Sequence, residues 1–159
     1  MTATAPSADF LERLDQILVA HQGREGPLLP ILHDIQAEWG YVPEEAQPVI
    51  AEALGLTRAE VHGVVSFYHD FRDHPSGRHV LRLCRAEACQ SMGANALAES
   101  TLQKLGIGWH GTTANGAVTV EPVYCLGLCA CAPAAMVDGR VLGRVDDARM
   151  DRILAEVGA

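Results

Sequence analysis

Cys84 with Cys89, and Cys125 with Cys129, are two thiol pairs whose type and spacing could do chemistry. Two thiolate pairs at short spacing, brought together by a fold, are what a tetrathiolate metal centre requires. Structural zinc usually takes the tighter Cys-x2-Cys turn, and dithiol exchange wants Cys-x-x-Cys at a helix start, which this chain lacks. The plant ferredoxin run Cys-x4-Cys-x2-Cys is also absent. Spacing therefore favours an iron-sulfur cluster and leaves a zinc-stapled interaction module without a redox role as the competing reading. A fifth thiol, Cys131, lies two residues past Cys129.

Composition narrows the setting. The chain has 159 residues, 48% of them hydrophobic, enough for a buried core. Twenty acidic against 12 basic residues, net −8, argue against a nucleic-acid surface, which needs clustered Lys and Arg. No run approaches the roughly 20 apolar residues that span a bilayer, and Met1 to Asp9 lacks the parts of a secretory signal. The expectation is a cytoplasmic protein with no membrane insertion. In a reducing compartment five cysteines make a poor disulfide framework, which again favours metal or redox chemistry.

The elements that must position the thiols follow from periodicity. Leu11, Leu14, Ile17 and Leu18 recur at helical spacing behind Ser7, a candidate cap. Leu28, Ile31, Leu32 and Ile35 form a second helical stripe that begins near Pro27 or Pro30 and stops before Gly40. Pro43 opens a third helix that runs to Leu54. Thr57 with Glu60 forms a capping box for a fourth, which carries Val61, Val64, Val65 and Phe67. His62 and His69 fall on one face of it.

The second half alternates. Strands are expected at His79 to Cys84 and Ala117 to Cys125, a helix from Met92 to Leu105, and a hairpin from Ala135 to Val145 around Asp138-Gly139. A last helix follows Asp146. If the ends of the first two strands are neighbours, both cysteine loops open on the same edge. Gly127 would then let backbone approach a cluster. No glycine-rich nucleotide loop is present, and His79 and His110 read as exposed or structurally hydrogen-bonded.

Cys84-x4-Cys89 with Gly93, then Cys125-Leu126-Gly127-Leu128-Cys129 with Ala132-Pro133, resembles the thioredoxin-like 2Fe-2S ferredoxins. Glu60-Val61 through Ser66-Phe67-Tyr68, and Gly111-Thr112-Thr113 with Asn115-Gly116, extend the resemblance over most of the chain from Leu28 onward. It implies an α+β fold: an N-terminal helical bundle over residues 1–77, then a thioredoxin-like 2Fe-2S domain over 78–159 with a small mixed sheet flanked by helices. It also implies one 2Fe-2S cluster held by Cys84, Cys89, Cys125 and Cys129, with Cys131 a small buried hydrophobe.

Within that family, Cys84 to Gly93 and Val61 to Arg72 look most like the gamma subunit of NAD-dependent formate dehydrogenases. The implied role is electron transfer, non-catalytic alone, beside a flavin- and NAD-binding diaphorase subunit and a molybdopterin formate dehydrogenase catalytic subunit. The alternative is the equivalent subunit of respiratory NADH:quinone oxidoreductase or of an NAD-reducing hydrogenase. Arg82 and Arg85 flank Cys84 and would raise the cluster potential if they point inward, with Glu87 opposing them; solvated surface charges are the other reading. Phe67, Tyr68 and Phe71 read first as core, and otherwise as an anchor for the partner.

Overall fold

The computed structural model describes residues 7–159, and the chain divides between Pro75 and Ser76 into two compact units. The first is helical. Ser7 caps α1 (Ala8–Ala20) by accepting from the Phe10 N–H. The second helix, α2 (Leu28–Trp39), ends on Gly40 at φ +80, a left-handed position that suits glycine. The third, α3 (Ala46–Leu54), starts three residues after Pro43, because residues 43–45 form a turn rather than helix. Both halves of the predicted capping box are made at α4 (Arg58–Phe67).

Leu14, Ile31, Leu32, Ile35, Ile50 and Val61 are almost wholly buried and form the centre of this unit. Gln36 closes its far end: its Nε2 donates to the Asp70 carbonyl and its Oε1 accepts from the Arg72 N–H, both at 2.7 Å. The aromatic segment behaves in two ways. Phe71 is buried, while Phe67 is 73% and Tyr68 44% exposed, so the expectation of core holds for Phe71 alone. His69 lies beyond the end of α4, so the shared helical face expected with His62 does not form.

The second unit is built on a four-stranded mixed sheet in the order β2-β1-β3-β4. The central strand, β1 (His79–Cys84), pairs parallel with β2 (Val118–Val123) and antiparallel with β3 (Ala135–Val137), which pairs with β4 (Arg140–Leu142) across the Asp138-Gly139 turn. Both turn residues have positive φ, as a tight hairpin of this hand demands. The helix expected from Met92 begins at Ala94 as α6 (Ala94–Leu105), after Gly93 at φ +90, and it is preceded by a short helix that was not expected, α5 (Glu87–Ser91). The last helix, α7 (Asp147–Glu156), is capped by Asp146. Leu97 and Ala98 of α6 and Met150, Ile153 and Leu154 of α7 pack on Leu81, Val118, Val120 and Val137 of the sheet. Among the described residues no helix is long and apolar enough to cross a membrane.

Candidate metal centre

The condition set by the sequence is met: β1 and β2 are parallel neighbours in register, with Cys84 opposite Val123. Cys84 is fixed from both sides, since its N–H donates to the Ala134 carbonyl at 3.0 Å and the next N–H, of Arg85, donates to Val123 at 2.8 Å. The chain then turns at Ala86 into α5, which carries Cys89 back toward Cys84. Both thiols are buried, at 3% and 2% exposure, among Ala94 and Ala134 with Val123, Leu126 and Leu128 partly covering them. Apolar walls of this kind control solvent access to a metal centre.

The second pair sits in the loop after β2, which ends two residues earlier than expected. Cys125 has φ +96 and Gly127 φ +78, a reversal that aims the Gly127 N–H at the Cys125 sulfur at 3.4 Å. Cys129 starts a single turn of 3-10 helix, Cys129–Cys131, that packs against α5. Its sulfur lies 3.7 Å from that of Cys125, and both residues are exposed. One pair is therefore inside the fold and one faces outward.

Electrostatics tie the pairs together. Burial works against a thiolate at Cys84, but N–H groups of Ala86, Cys125 and Leu126 and the Cys89 thiol all donate to it, and its pKa lies below the ordinary thiol value. Cys89 is pushed up, first by burial and then by its bond to Cys84. Cys129 is pushed up by its bond to Cys125 and by that sulfur's charge. Thus the loop after β2 donates hydrogen bonds to the thiol at the end of β1.

These residues fit a dinuclear centre. Two thiolates on one tetrahedral metal, each about 2.3 Å from it, stand about 3.8 Å apart, close to the spacing of Cys125 and Cys129. A mononuclear site needs all four donors round one point. Here the sulfurs are grouped in pairs, Cys125 with Cys129 at 3.7 Å and Cys84 with Cys89, whose thiol donates to it.

The neighbouring charges sort differently from expectation. Arg82 is bound through Nε to Glu121 Oε2 at 2.9 Å, its register partner on β2, so it is half of an ion pair. Arg85 rests over the Trp109 ring, 5.3 Å from its centroid, and Glu87 is exposed. His79 bonds Asp138 at 2.7 Å and His110 is exposed, so neither joins the thiols. Sequence reading missed Trp109 and the backbone donors of Ala86, Cys125 and Leu126. Only the Leu-Gly after Cys125 signals such a loop.

Cys131 is half-buried and braces the ligand loop from behind. Arg144 N–H donates to its carbonyl and Val145 N–H to that of Pro133. A Cβ on Gly143 would lie 2.8 Å from Cys131 Cβ and 2.9 Å from its carbonyl oxygen. Gly143→Ala should therefore displace the Cys129–Cys131 turn and destabilise the unit by about 1–3 kcal/mol. Thermal denaturation, with iron content beside it, checks this.

Comparison with known proteins agrees over nearly the whole chain. The thioredoxin-like [2Fe-2S] ferredoxin family pattern matches residues 14–158. The NADP-reducing hydrogenase subunit HndA of Solidesulfovibrio fructosivorans is 35% identical over 147 residues, covering 92% of this chain and 82% of that protein. An NADH-quinone oxidoreductase subunit of Pseudomonas aeruginosa is 40% identical over 111 residues, 70% of this chain and 67% of its own. A crystal structure of an NAD+-reducing [NiFe]-hydrogenase superposes with a TM-score of 0.70 at 27% identity, over 83% of this chain. The present chain spans only 22% of that hydrogenase chain, and 53% of the matching NADH-quinone oxidoreductase subunit from Mycobacterium tuberculosis. With two thiol pairs at one end of a small mixed sheet and this match along its length, the chain belongs to the thioredoxin-like [2Fe-2S] ferredoxin family, whose members carry one 2Fe-2S cluster.

Proposed function

We propose that this chain is an electron-transfer subunit in which Cys84, Cys89, Cys125 and Cys129 hold the cluster, beside a flavin- and NAD-binding partner in a complex of the NADH-quinone oxidoreductase or NAD-reducing hydrogenase kind. The observation that carries this reading is the parallel, in-register pairing of β1 with β2, which sets Cys84 opposite Val123, two residues before Cys125, so that both thiol loops leave the same edge of the sheet. The bound cluster supplies a one-electron couple whose reduced form carries one more negative charge. The chain's own part is to orient four sulfurs, donate N–H bonds to them and keep water from Cys84 and Cys89. Oxidation of NADH or hydrogen belongs to other chains.

Named relatives support the hydrogenase and NADH-quinone oxidoreductase contexts. A molybdopterin formate dehydrogenase partner is a second reading, favoured by the segments Cys84 to Gly93 and Val61 to Arg72 alone. The test is anaerobic purification of the tagged chain from its host. Two irons and two acid-labile sulfides per chain, an EPR signal on dithionite reduction, and a co-purifying flavoprotein that oxidises NADH are expected. Zinc in place of iron, or no sulfide, overturns the cluster reading, and the other subunits recovered identify the complex.

A further inference from the structure

Two arginines flank Cys84, yet the fold treats them in opposite ways. The charge of Arg82 is met by Glu121 at 2.9 Å, with the two side chains only 26% and 12% exposed, so the pair adds little net field. No such carboxylate is found on Arg85 among the described residues. Its Nε is buried without a hydrogen-bond partner, and its guanidinium is held over Trp109. Its backbone is fixed as well: the N–H donates to Val123, and the carbonyl accepts from Gln90 Nε2 at 2.7 Å. A charge so held cannot relax freely into water, which would otherwise screen it.

Resting on the ligand assignment proposed above, we propose that Arg85, clamped by Trp109, raises the cluster's reduction potential, by holding a fixed positive charge on the residue next in sequence to a ligand cysteine. Adding an electron to four thiolates and two irons increases negative charge, and a nearby fixed cation favours that state. Arg85 touches no reacting atom in this role. It acts through the field, as a positioning residue for charge, with Trp109 positioning it in turn.

The test compares Arg85→Gln, Arg85→Lys, Trp109→Leu and the double change Arg82→Gln with Glu121→Gln. Each chain, loaded with its cluster, is poised with mediators at the wild-type midpoint and the reduced fraction is read by EPR. For Arg85→Gln the reduced-to-oxidised ratio should fall about tenfold, equivalent to about 59 mV for one electron. Arg85→Lys should stay within threefold of wild type because the charge is kept, and Trp109→Leu should fall about threefold because the guanidinium is freed to solvent. The neutral double change should stay within twofold.

Arg85→Gln with full iron and a ratio within twofold of wild type overturns the proposal. Equal shifts in Arg85→Gln and Arg85→Lys also overturn it, since packing and not charge would then be responsible. If Arg85→Gln fails to hold iron, Trp109→Leu decides, and an unshifted ratio there overturns the idea. Absence of iron and sulfide from the wild-type chain would instead defeat the cluster reading beneath it.

Discussion

Alanine at Cys84 or at Cys129 is expected to abolish the visible chromophore in both cases, but only Cys84→Ala should also lower the stability of the metal-free chain. The two thiols differ in what surrounds them. Cys84 is buried with Cys89, Ala94 and Ala134 in an apolar setting, and removing its sulfur leaves a gap among them. Removing a sulfur that is only 3% exposed together with its contacts should cost about 1–3 kcal/mol. Cys129 is exposed, so its loss removes one ligand and little else. Iron per chain should fall to near zero in both, while the metal-free melting temperature drops only for Cys84→Ala. Cys131→Ser should keep full iron, because that residue lies behind the ligand loop against Gly143. Iron retained in Cys84→Ala, or lost in Cys131→Ser, would sink the ligand assignment.

That contrast between the pairs was invisible in the sequence, and the reason is general. Thiol type and spacing are side-chain facts, legible as soon as the residues are written down. Which thiol is buried depends on β1 lying between β2 and β3, pairings that join residues 39 apart on one side and 52 to 56 apart on the other and leave no local mark. Periodicity found the long helices because their apolar faces repeat. It missed α5, whose five residues are too few to show a period. The backbone donors to Cys84 are harder still, since any residue type carries an N–H. Charges next to Cys84 gave a symmetrical expectation for Arg82 and Arg85. The fold broke that symmetry because Arg82 has Glu121 opposite it in register, while Arg85 lies past the strand end, where the neighbour is Trp109. Capping signals fared best: Ser7 and the Thr57–Glu60 box act within three residues, where sequence and structure are nearly the same thing.

Leu81→Ala should have the largest effect on folding of any single truncation in the sheet. Leu81 is wholly buried on the central strand and faces partners on both sides, Val120 of β2 and Val137 of β3. Truncation removes the burial of three carbons and opens a cavity that strands held in register cannot close, for about 2–5 kcal/mol. In a unit of this size each kcal/mol moves the melting temperature by about 4–8 °C, so the transition should fall by roughly 10–40 °C. Val141→Ala on the edge strand β4 is the control: that side chain is 41% exposed, and the loss should stay within about 0.5 kcal/mol. The consequence for the site follows from chain geometry. Leu81 is three residues before Cys84 on a strand whose pairing with β2 brings the two thiol loops to one edge. Bleaching of the cluster absorbance on heating should therefore move down with the unfolding transition in Leu81→Ala. If the chromophore instead survives past that transition, the thiols are held by something other than the β1–β2 pairing.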